Sequence, residues 1–222
     1  KRYNQFMNHS LKKFIEDSGF WFIDIPRTSS SSTRLSLFKM FGKGYGKSNI
    51  FEKEFAKQSF YRDHLTANES FLFFGANSWR KLNKFTIVRN SWERVYSIYG
   101  YLLRANLIPA EISFSDFIKE IYKIFSNKES ELKIWPKTLY SSVNFLRVYD
   151  GSIDKSIRVL NYENRLEELE NYFNEFNIKF EPAEPLMKSD LGKSYRDAYS
   201  DTEIKLVEKI YSEDIVRFDH KF

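Results

Sequence analysis

The chain has 222 residues, 42% hydrophobic and 29% charged, enough to bury a sizeable core within one compact domain. Cysteine is absent, which excludes disulfides and thiolate metal sites, and with only His9, His64 and His220 as histidines a structural zinc site is not expected. Lys and Arg outnumber Asp and Glu by 35 to 30, a net charge of +5. The stretch from Ile25 to Phe51 holds Arg27, Arg34, Lys39, Lys43 and Lys47 and no acidic residue, so its excess alone equals that of the whole chain. A local field of this sign attracts anions. No apolar run is long enough to span a bilayer and no signal-peptide pattern opens the chain. A cytoplasmic protein is the expectation, with any segment upstream of Lys1 left open.

Phe20 to Ile25 (F-W-F-I-D-I) reads as a buried strand, and Pro26 to Ser32 (P-R-T-S-S-S-S) as a polar loop. Thr33 to Phe41 places Leu35, Leu37, Phe38 and Phe41 at helical spacing. Lys84 to Arg89 (K-F-T-I-V-R) reads as a second strand. Asn90 is the expected N-cap of the next helix, with Glu93 reaching back to it, and that helix runs from Ser91 to about Arg104, burying Val95, Ile98, Tyr99 and Leu102. Ile157 to Tyr162 is a third strand, followed by a helix near Leu166 to Phe176. Ser200-Asp-Thr-Glu203 fits a capping box and opens a helix bearing Ile204, Val207, Ile210 and Tyr211. Strands alternating with helices predict an α/β fold, a single domain over residues 1–222 with a central parallel sheet flanked by helices on both faces. There is no internal repeat and no interdomain linker.

Two places carry candidate chemistry. A loop of small hydroxyl residues leading into a helix start aims main-chain N–H groups and the positive end of the helix dipole at one point. Arg27, with the hydroxyls of Thr28, Ser29, Ser30, Ser31, Ser32 and Thr33, would complete a phosphate cradle; the plain alternative is a serine-rich surface loop. Nearby, Gly42-Lys-Gly-Tyr-Gly46-Lys47-Ser48 approaches the G-x-x-x-x-G-K-[ST] nucleotide loop, but the first glycine would fall at Phe41, so it reads as a flexible basic loop. The second place is Arg89 with Ser97. Arg89 ends a strand at its carboxyl end, where open α/β sheets place ligands, and Ser97 lies two turns into the next helix on the face of Arg94 and Tyr101. An arginine fork and a hydroxyl can grip one phosphate. The competing reading is an arginine paired with a carboxylate.

Taken together, these stretches resemble the sulfotransferases that use 3′-phosphoadenosine 5′-phosphosulfate (PAPS), in particular their carbohydrate-type branch. Ile25-Pro-Arg-Thr-Ser-Ser-Ser-Ser32 is similar to that branch's 5′-phosphosulfate loop, roughly I-P-K-T-x-G-T-S. Phe85-Thr-Ile-Val-Arg-Asn-Ser-Trp-Glu-Arg-Val-Tyr-Ser-Ile-Tyr99 is similar to its 3′-phosphate motif, F-x-x-V-R-N-P-x-x-R-x-x-S-x-Y, with Arg89, Asn90, Arg94, Ser97 and Tyr99 on motif positions. His64-Leu-Thr-Ala67, Tyr162-Glu-Asn164, Tyr195-Arg-Asp-Ala-Tyr199 and Tyr211-Ser-Glu-Asp214 with Phe218 resemble further family segments in their usual order. Three departures stand out: Arg27 replaces the usual loop lysine, a serine replaces the loop glycine, and Ser91 replaces the proline after Arg89-Asn90.

The resemblance implies a P-loop-like strand-loop-helix and transfer of a sulfuryl group from PAPS to an acceptor hydroxyl, most readily of a carbohydrate, with adenosine 3′,5′-bisphosphate (PAP) as product. Arg27 would neutralise the leaving oxygen, residues Thr28 to Thr33 would hold the 5′-phosphate and sulfonate, and Arg89, Ser97 and Lys193 would hold the 3′-phosphate. No metal is required where the protein supplies the cations. His64 is the expected base, because an imidazole accepts a proton near neutrality, with Asp63, Glu52 and Glu54 as substitutes. Trp92 or Tyr195 is the expected wall for adenine. Specificity loops are placed near Asn106–Asn127 and Lys133–Tyr149. Nucleic acid is not the expected partner, and oligomeric state is left open. The competing functions are a PAP- or PAPS-binding protein without turnover, a basic nucleic-acid-binding domain and, least favoured by the failed glycine count, a nucleotide kinase.

Overall fold

The computed structural model describes residues 9–41, 64–134, 136–183, 191–192 and 194–222. The described chain is mixed α/β, with a small parallel sheet and many helices. Helix α1 (His9–Ser18) leads into β1 (Phe20–Ile23), and α2 covers Ser30–Phe41. Helices α3 (Ala67–Phe74) and α4 (Ala76–Lys81) precede β2 (Asn83–Val88). Next come α5 (Ser91–Arg104), α6 (Phe114–Phe125), α7 (Pro136–Leu139) and α8 (Ser142–Leu146). Strand β3 (Ile157–Asn161) is followed by α9 (Arg165–Asn174), a 3₁₀ turn at Tyr195–Ala198, α10 (Asp201–Ile210) and α11 (Ser212–Phe218). Among the described residues no helix is long and apolar enough to cross a membrane.

The sheet has the order β1-β2-β3, every pair parallel, with Phe20 opposite Asn83, Ile23 opposite Thr86 and Val88 opposite Asn161. Side chains alternate between its faces, as a pleated strand requires. Phe20, Phe22, Phe85, Ile87 and Leu160 pack on one face against Leu37 of α2 and Leu169, Tyr172 and Phe173 of α9. Trp21, Ile23, Val88 and Ile157 pack on the other against Ile15 of α1, Phe73 and Phe74 of α3, Trp79 of α4 and Phe145 of α8. Near-continuous apolar strands are what a sheet covered on both sides demands. A third cluster joins Trp92, Val95, Ile98 and Leu102 of α5 to Phe117, Ile118 and Ile121 of α6 and Val207 of α10.

Lys84 is a cation turned into this core, 3% exposed. Its ammonium donates to the carbonyls of Trp79 (2.7 Å) and Leu82 (2.8 Å), satisfying acceptors that the C-terminus of α4 leaves open. Burial pushes its pKa down, offset in part by Asp154.

All three predicted strands form, each ending short of its predicted limit, and the helices expected after β2, after β3 and at Ser200 are present. At Ser200 the capping box forms, with the Glu203 carboxylate accepting from the Ser200 main-chain N–H at 2.7 Å. Three expectations need correction. Helix α2 begins at Ser30, not Thr33, with the Thr33 main-chain N–H donating to the Ser29 carbonyl at 3.0 Å, because serine suits a helix's first turn as readily as a loop. Glu93 does not reach back to Asn90; its carboxylate is taken by Arg89, and the Asn90 side chain caps α5 by accepting from the N–H groups of Trp92 (3.1 Å) and Glu93 (3.4 Å). The segments expected to be specificity loops contain α6, capped by Ser113, and α7 and α8.

Phe173 is fully buried, with rings of Phe20, Phe85, Tyr172 and Phe180 around it. Phe173→Ala is expected to cost about 3–5 kcal/mol, read as a lower urea midpoint at unchanged slope.

Candidate functional site

The parallel pairing brings the carboxyl ends of β1, β2 and β3 to one edge. Asp24 to Ser29 leave β1 there, Arg89 leaves β2, and Tyr162 leaves β3. The Tyr162 main-chain N–H donates to the Val88 carbonyl at 2.8 Å, which carries the β2–β3 ladder up to that edge. Main-chain N–H groups in the first turn of α2 have no acceptor within the helix and point toward this edge.

The turn after β1 is tightly stapled. Thr28 and Ser30 each donate their hydroxyl to the Ile25 carbonyl at 2.9 Å, and both are buried with Thr33. Their expected role as hydroxyl donors to a ligand is therefore corrected: these hydroxyls close the turn. Ser29, Ser31 and Ser32 are partly exposed, and the Ser29 and Ser32 hydroxyls lie 2.6 Å apart. Arg27 (φ 68°) and Ser29 (φ 74°) take left-handed backbone angles, which cost a side-chain-bearing residue about 1–2 kcal/mol each. Counting from Pro26, the serine in the family's glycine place is Ser30, which adopts ordinary helical angles, so the strain falls on its neighbours.

Arg27 meets Arg89 and Ser97, 62 and 70 positions further along the chain, at this turn. Arg27 Nε donates to Ser97 Oγ at 3.1 Å, and its guanidinium lies 5.1 Å from the Tyr101 ring centre. Arg89 Nη1 donates to the Arg27 carbonyl at 3.2 Å, its Nη2 to Glu93 at 2.7 Å, and its guanidinium stacks 4.1 Å from the Tyr162 ring centre. Arg89 Nε is buried without a hydrogen-bond partner among the described residues. Burial, then the charges of Arg89 and Arg104, lower the Arg27 pKa to about 10. Such crowding of like charge raises the energy of the cationic state, and a bound anion would relieve it.

Arg94 plays a different part. It is 2% exposed, and it donates to the carbonyls of Pro26 (3.0 Å), Tyr140 (2.8 Å) and Thr138 (3.4 Å). Its guanidinium thus ties the β1 turn to the α7–α8 connection. The C-terminal residues brace the start of α5: Asn90 Nδ2 donates to the Lys221 carbonyl at 2.7 Å, and Ser91 Oγ lies 2.9 Å from His220 Nδ1.

His64 sits beside the same turn. Its Nδ1 is 3.0 Å from the Asp24 carbonyl oxygen and 3.3 Å from Asp24 Oδ1, while Arg34 of α2 lies 3.4 Å from Asp24 Oδ2. Burial opposes ionisation of Asp24, but the charges of His64 and Arg34 outweigh it and hold the carboxyl below its ordinary value.

Trp92 does not form an adenine wall. It is 2% exposed, donates from Nε1 to the Ile204 carbonyl at 3.2 Å and packs edge-on to Phe222. Tyr195 is partly exposed, lying under the Arg196 guanidinium. The Tyr195–Tyr199 and Tyr211–Asp214 segments act as struts: Tyr199 donates to the Trp92 carbonyl, Tyr211 donates to that of Leu139, and the buried Asp214 accepts from the N–H groups of Ser142 and Val143. Lys193, Asp63, Glu52, Glu54 and the Gly42–Ser48 stretch lie outside the described residues.

Sequence reasoning missed Asp24 and Arg104, and placed Tyr101 on the face of Ser97 without giving it a role. An acid inside the apolar run F-W-F-I-D-I was the available signal for Asp24. Tyr101 and Arg104 follow Ser97 by four and seven positions, one stripe of a helix. Among the described residues no group of three or more His, Asp or Glu side chains is placed to hold a metal ion. Comparison with protein-family models, with curated proteins and with solved structures finds no match to the chain.

Because the folded carboxyl of Asp24 ionises more readily than the ordinary value of 3.8, its contribution to stability is complete above that value and is lost as pH falls through the lower folded one. Urea unfolding between about pH 2 and 6 should therefore show a shallower loss of stability on acidification in Asp24→Asn than in the wild type. Parallel profiles would contradict the assigned ion pairs.

Proposed function

We propose that this protein transfers a sulfuryl group from PAPS to an acceptor hydroxyl, and that the acceptor is a carbohydrate. The observation that carries the reading is the meeting of Arg27, Arg89 and Ser97 at one turn, since the residues of two separate sequence motifs converge where one doubly anionic nucleotide would lie. Arg89 Nε, without a hydrogen-bond partner among the described residues, and the lowered pKa of Arg27 favour an anionic ligand in the same place. The carbohydrate acceptor rests on the resemblance of the motifs alone.

In this reading the β1 turn and the first turn of α2 serve as a P-loop-like cradle for the 5′-phosphosulfate, with main-chain N–H groups as its principal donors. Arg89 and the Ser97 hydroxyl hold the 3′-phosphate. The donor supplies the sulfuryl group: the acceptor oxygen bonds to sulfur as the bond between sulfur and the 5′-phosphate oxygen breaks, and PAP leaves. Arg27 offsets the charge that grows on the leaving oxygen, and His64 takes the acceptor's proton. Positioning and fixed charge lower such a barrier without a covalent intermediate. The second reading, nucleotide binding without turnover, is favoured by one feature. Arg27 stands where a lysine is usual, and its Nε is committed to Ser97.

Calorimetric titration with PAP should give micromolar binding that weakens about 10- to 100-fold in Arg89→Ala, the size expected for a charge-assisted contact. Equal affinity for 5′-AMP, or no binding of PAP, would overturn the reading. With a panel of carbohydrate acceptors, His64→Ala should lower turnover by about 10²-fold or more while PAP affinity is kept. Unchanged turnover would remove His64 as the base. Absence of turnover in a wild type that binds PAP would favour the second reading.

A further inference from the structure

We propose that residues 219–222 form an acid-sensitive clasp on the start of α5, opened when the His220 ring takes up a proton. The inference goes beyond the transferase reading and does not depend on it.

The clasp closes on the first N–H groups of α5, donors that a helix leaves without acceptors of its own. Trp92 and Glu93 give theirs to the Asn90 side chain, and Asn90 gives its own to the Glu163 carboxylate at 3.3 Å. The main-chain N–H of Ser91 donates to His220 Nδ1 at 3.3 Å, and the Ser91 hydroxyl lies 2.9 Å from the same nitrogen. Beside this contact Asn90 Nδ2 donates to the Lys221 carbonyl at 2.7 Å. The Phe222 ring centre lies 5.7 Å from that of Trp92 and 5.4 Å from that of Tyr199. The chain turns into this position through Asp219, which takes φ 52°, and the His220 N–H donates to the Ile215 carbonyl at 3.1 Å.

The chemistry of Nδ1 makes the contact depend on pH. A main-chain N–H can only donate, so Nδ1 accepts, and the neutral ring carries its proton on Nε2. A second proton has only Nδ1 to occupy, and it would set two N–H groups against each other at 3.3 Å. A protonated ring can still donate to Ser91 Oγ, but the N–H of the buried Ser91 then loses its acceptor. The cation would also stand at the positive end of a 14-residue helix.

The surroundings set the direction of the response. Burial opposes the charged ring most, and Arg94 of α5 adds to it. Asp214 of α11, Glu163 after β3 and the adjacent Asp219, itself paired with Lys221, work the other way. The balance leaves the ring's pKa below its ordinary value of 6.5. The hold of the neutral ring is therefore complete above that value and is lost as pH falls through the lower folded one. His220 is partly exposed, so a proton reaches it without opening the core.

The test uses the full ¹⁵N-labelled chain. Two-bond ¹H–¹⁵N correlation spectra at alkaline pH report which ring nitrogen carries the proton, and His220→Gln identifies the ring. Wild type should show His220 protonated on Nε2 alone. As pH falls through the midpoint of this ring, protection of the Ser91 N–H against exchange, corrected for the intrinsic effect of pH, should fall about 10-fold or more. Nuclear Overhauser contacts between Phe222 and Trp92 should weaken with the same midpoint. In His220→Gln a side-chain carbonyl accepts from Ser91 without titrating, and protection should stay level over the same range. A wild-type ring protonated on Nδ1 at alkaline pH would overturn the proposal, as would protection that does not follow the ring's midpoint. An equal loss in His220→Gln would assign the response to the neighbouring carboxylates and overturn it too. Should glutamine fail to seat against Ser91, shown by low protection already at neutral pH, the coincidence of the two wild-type midpoints decides the matter alone.

Discussion

The candidate site depends on one buried charge, the guanidinium of Arg94. Removing such a group from water costs several kcal/mol unless its donors are satisfied. Here Pro26, Thr138 and Tyr140 offer three carbonyl oxygens to three nitrogens. Backbone from two distant parts of the chain is thereby fixed against α5. The turn after β1 cannot relax away from that helix without stranding a charge. This constraint keeps Arg27 and Ser29 in left-handed angles that the turn would otherwise shed.

Once the turn is held, the electrostatics follow. Arg27 leans on α5 through Ser97 and Tyr101, while Arg89 enters from the end of β2 and contacts the Arg27 carbonyl. Two guanidinium groups thus share a partly desolvated space with Arg104 near by. Their repulsion is moderated by Glu93 and by the faces of Tyr101 and Tyr162. Folded proteins assemble such unfavourable pairs chiefly where function requires them, and structural ion networks seldom leave a buried arginine nitrogen without a partner.

Much of this was legible in the sequence because strong local patterns coincided with the tertiary outcome. F-W-F-I, K-F-T-I-V and I-R-V-L are apolar or β-branched enough to be strands in a sheet covered on both faces, and Asn90 and Ser200 announce their helices as caps. The serine run misled, since serine suits a loop and a helix's first turn equally, and only the closure onto the Ile25 carbonyl decides which hydroxyls face inward. Helix α6 has its apolar residues at helical spacing, yet it lies in the Asn106–Asn127 stretch that reads as a specificity loop because no motif marks it. The Asp24–His64 pairing spans forty positions, and no local rule joins them. Arg94 illustrates the deepest gap: its place in a motif said nothing of its burial, which depends on carbonyls 44 and 46 residues downstream.

The bracing of α5 by Lys221 and His220 has a consequence for biosynthesis. Asn90 closes onto a carbonyl 131 positions later, and Ser91 onto a ring 129 positions later. While the chain is emerging from a ribosome, β1, β2 and the start of α5 are available long before that brace. Loop closure of this length is slow, and domains with distant contacts order late. Arg89 leaves the strand one residue before this cap, so the brace behind it is complete only once residues 220 and 221 have closed onto α5.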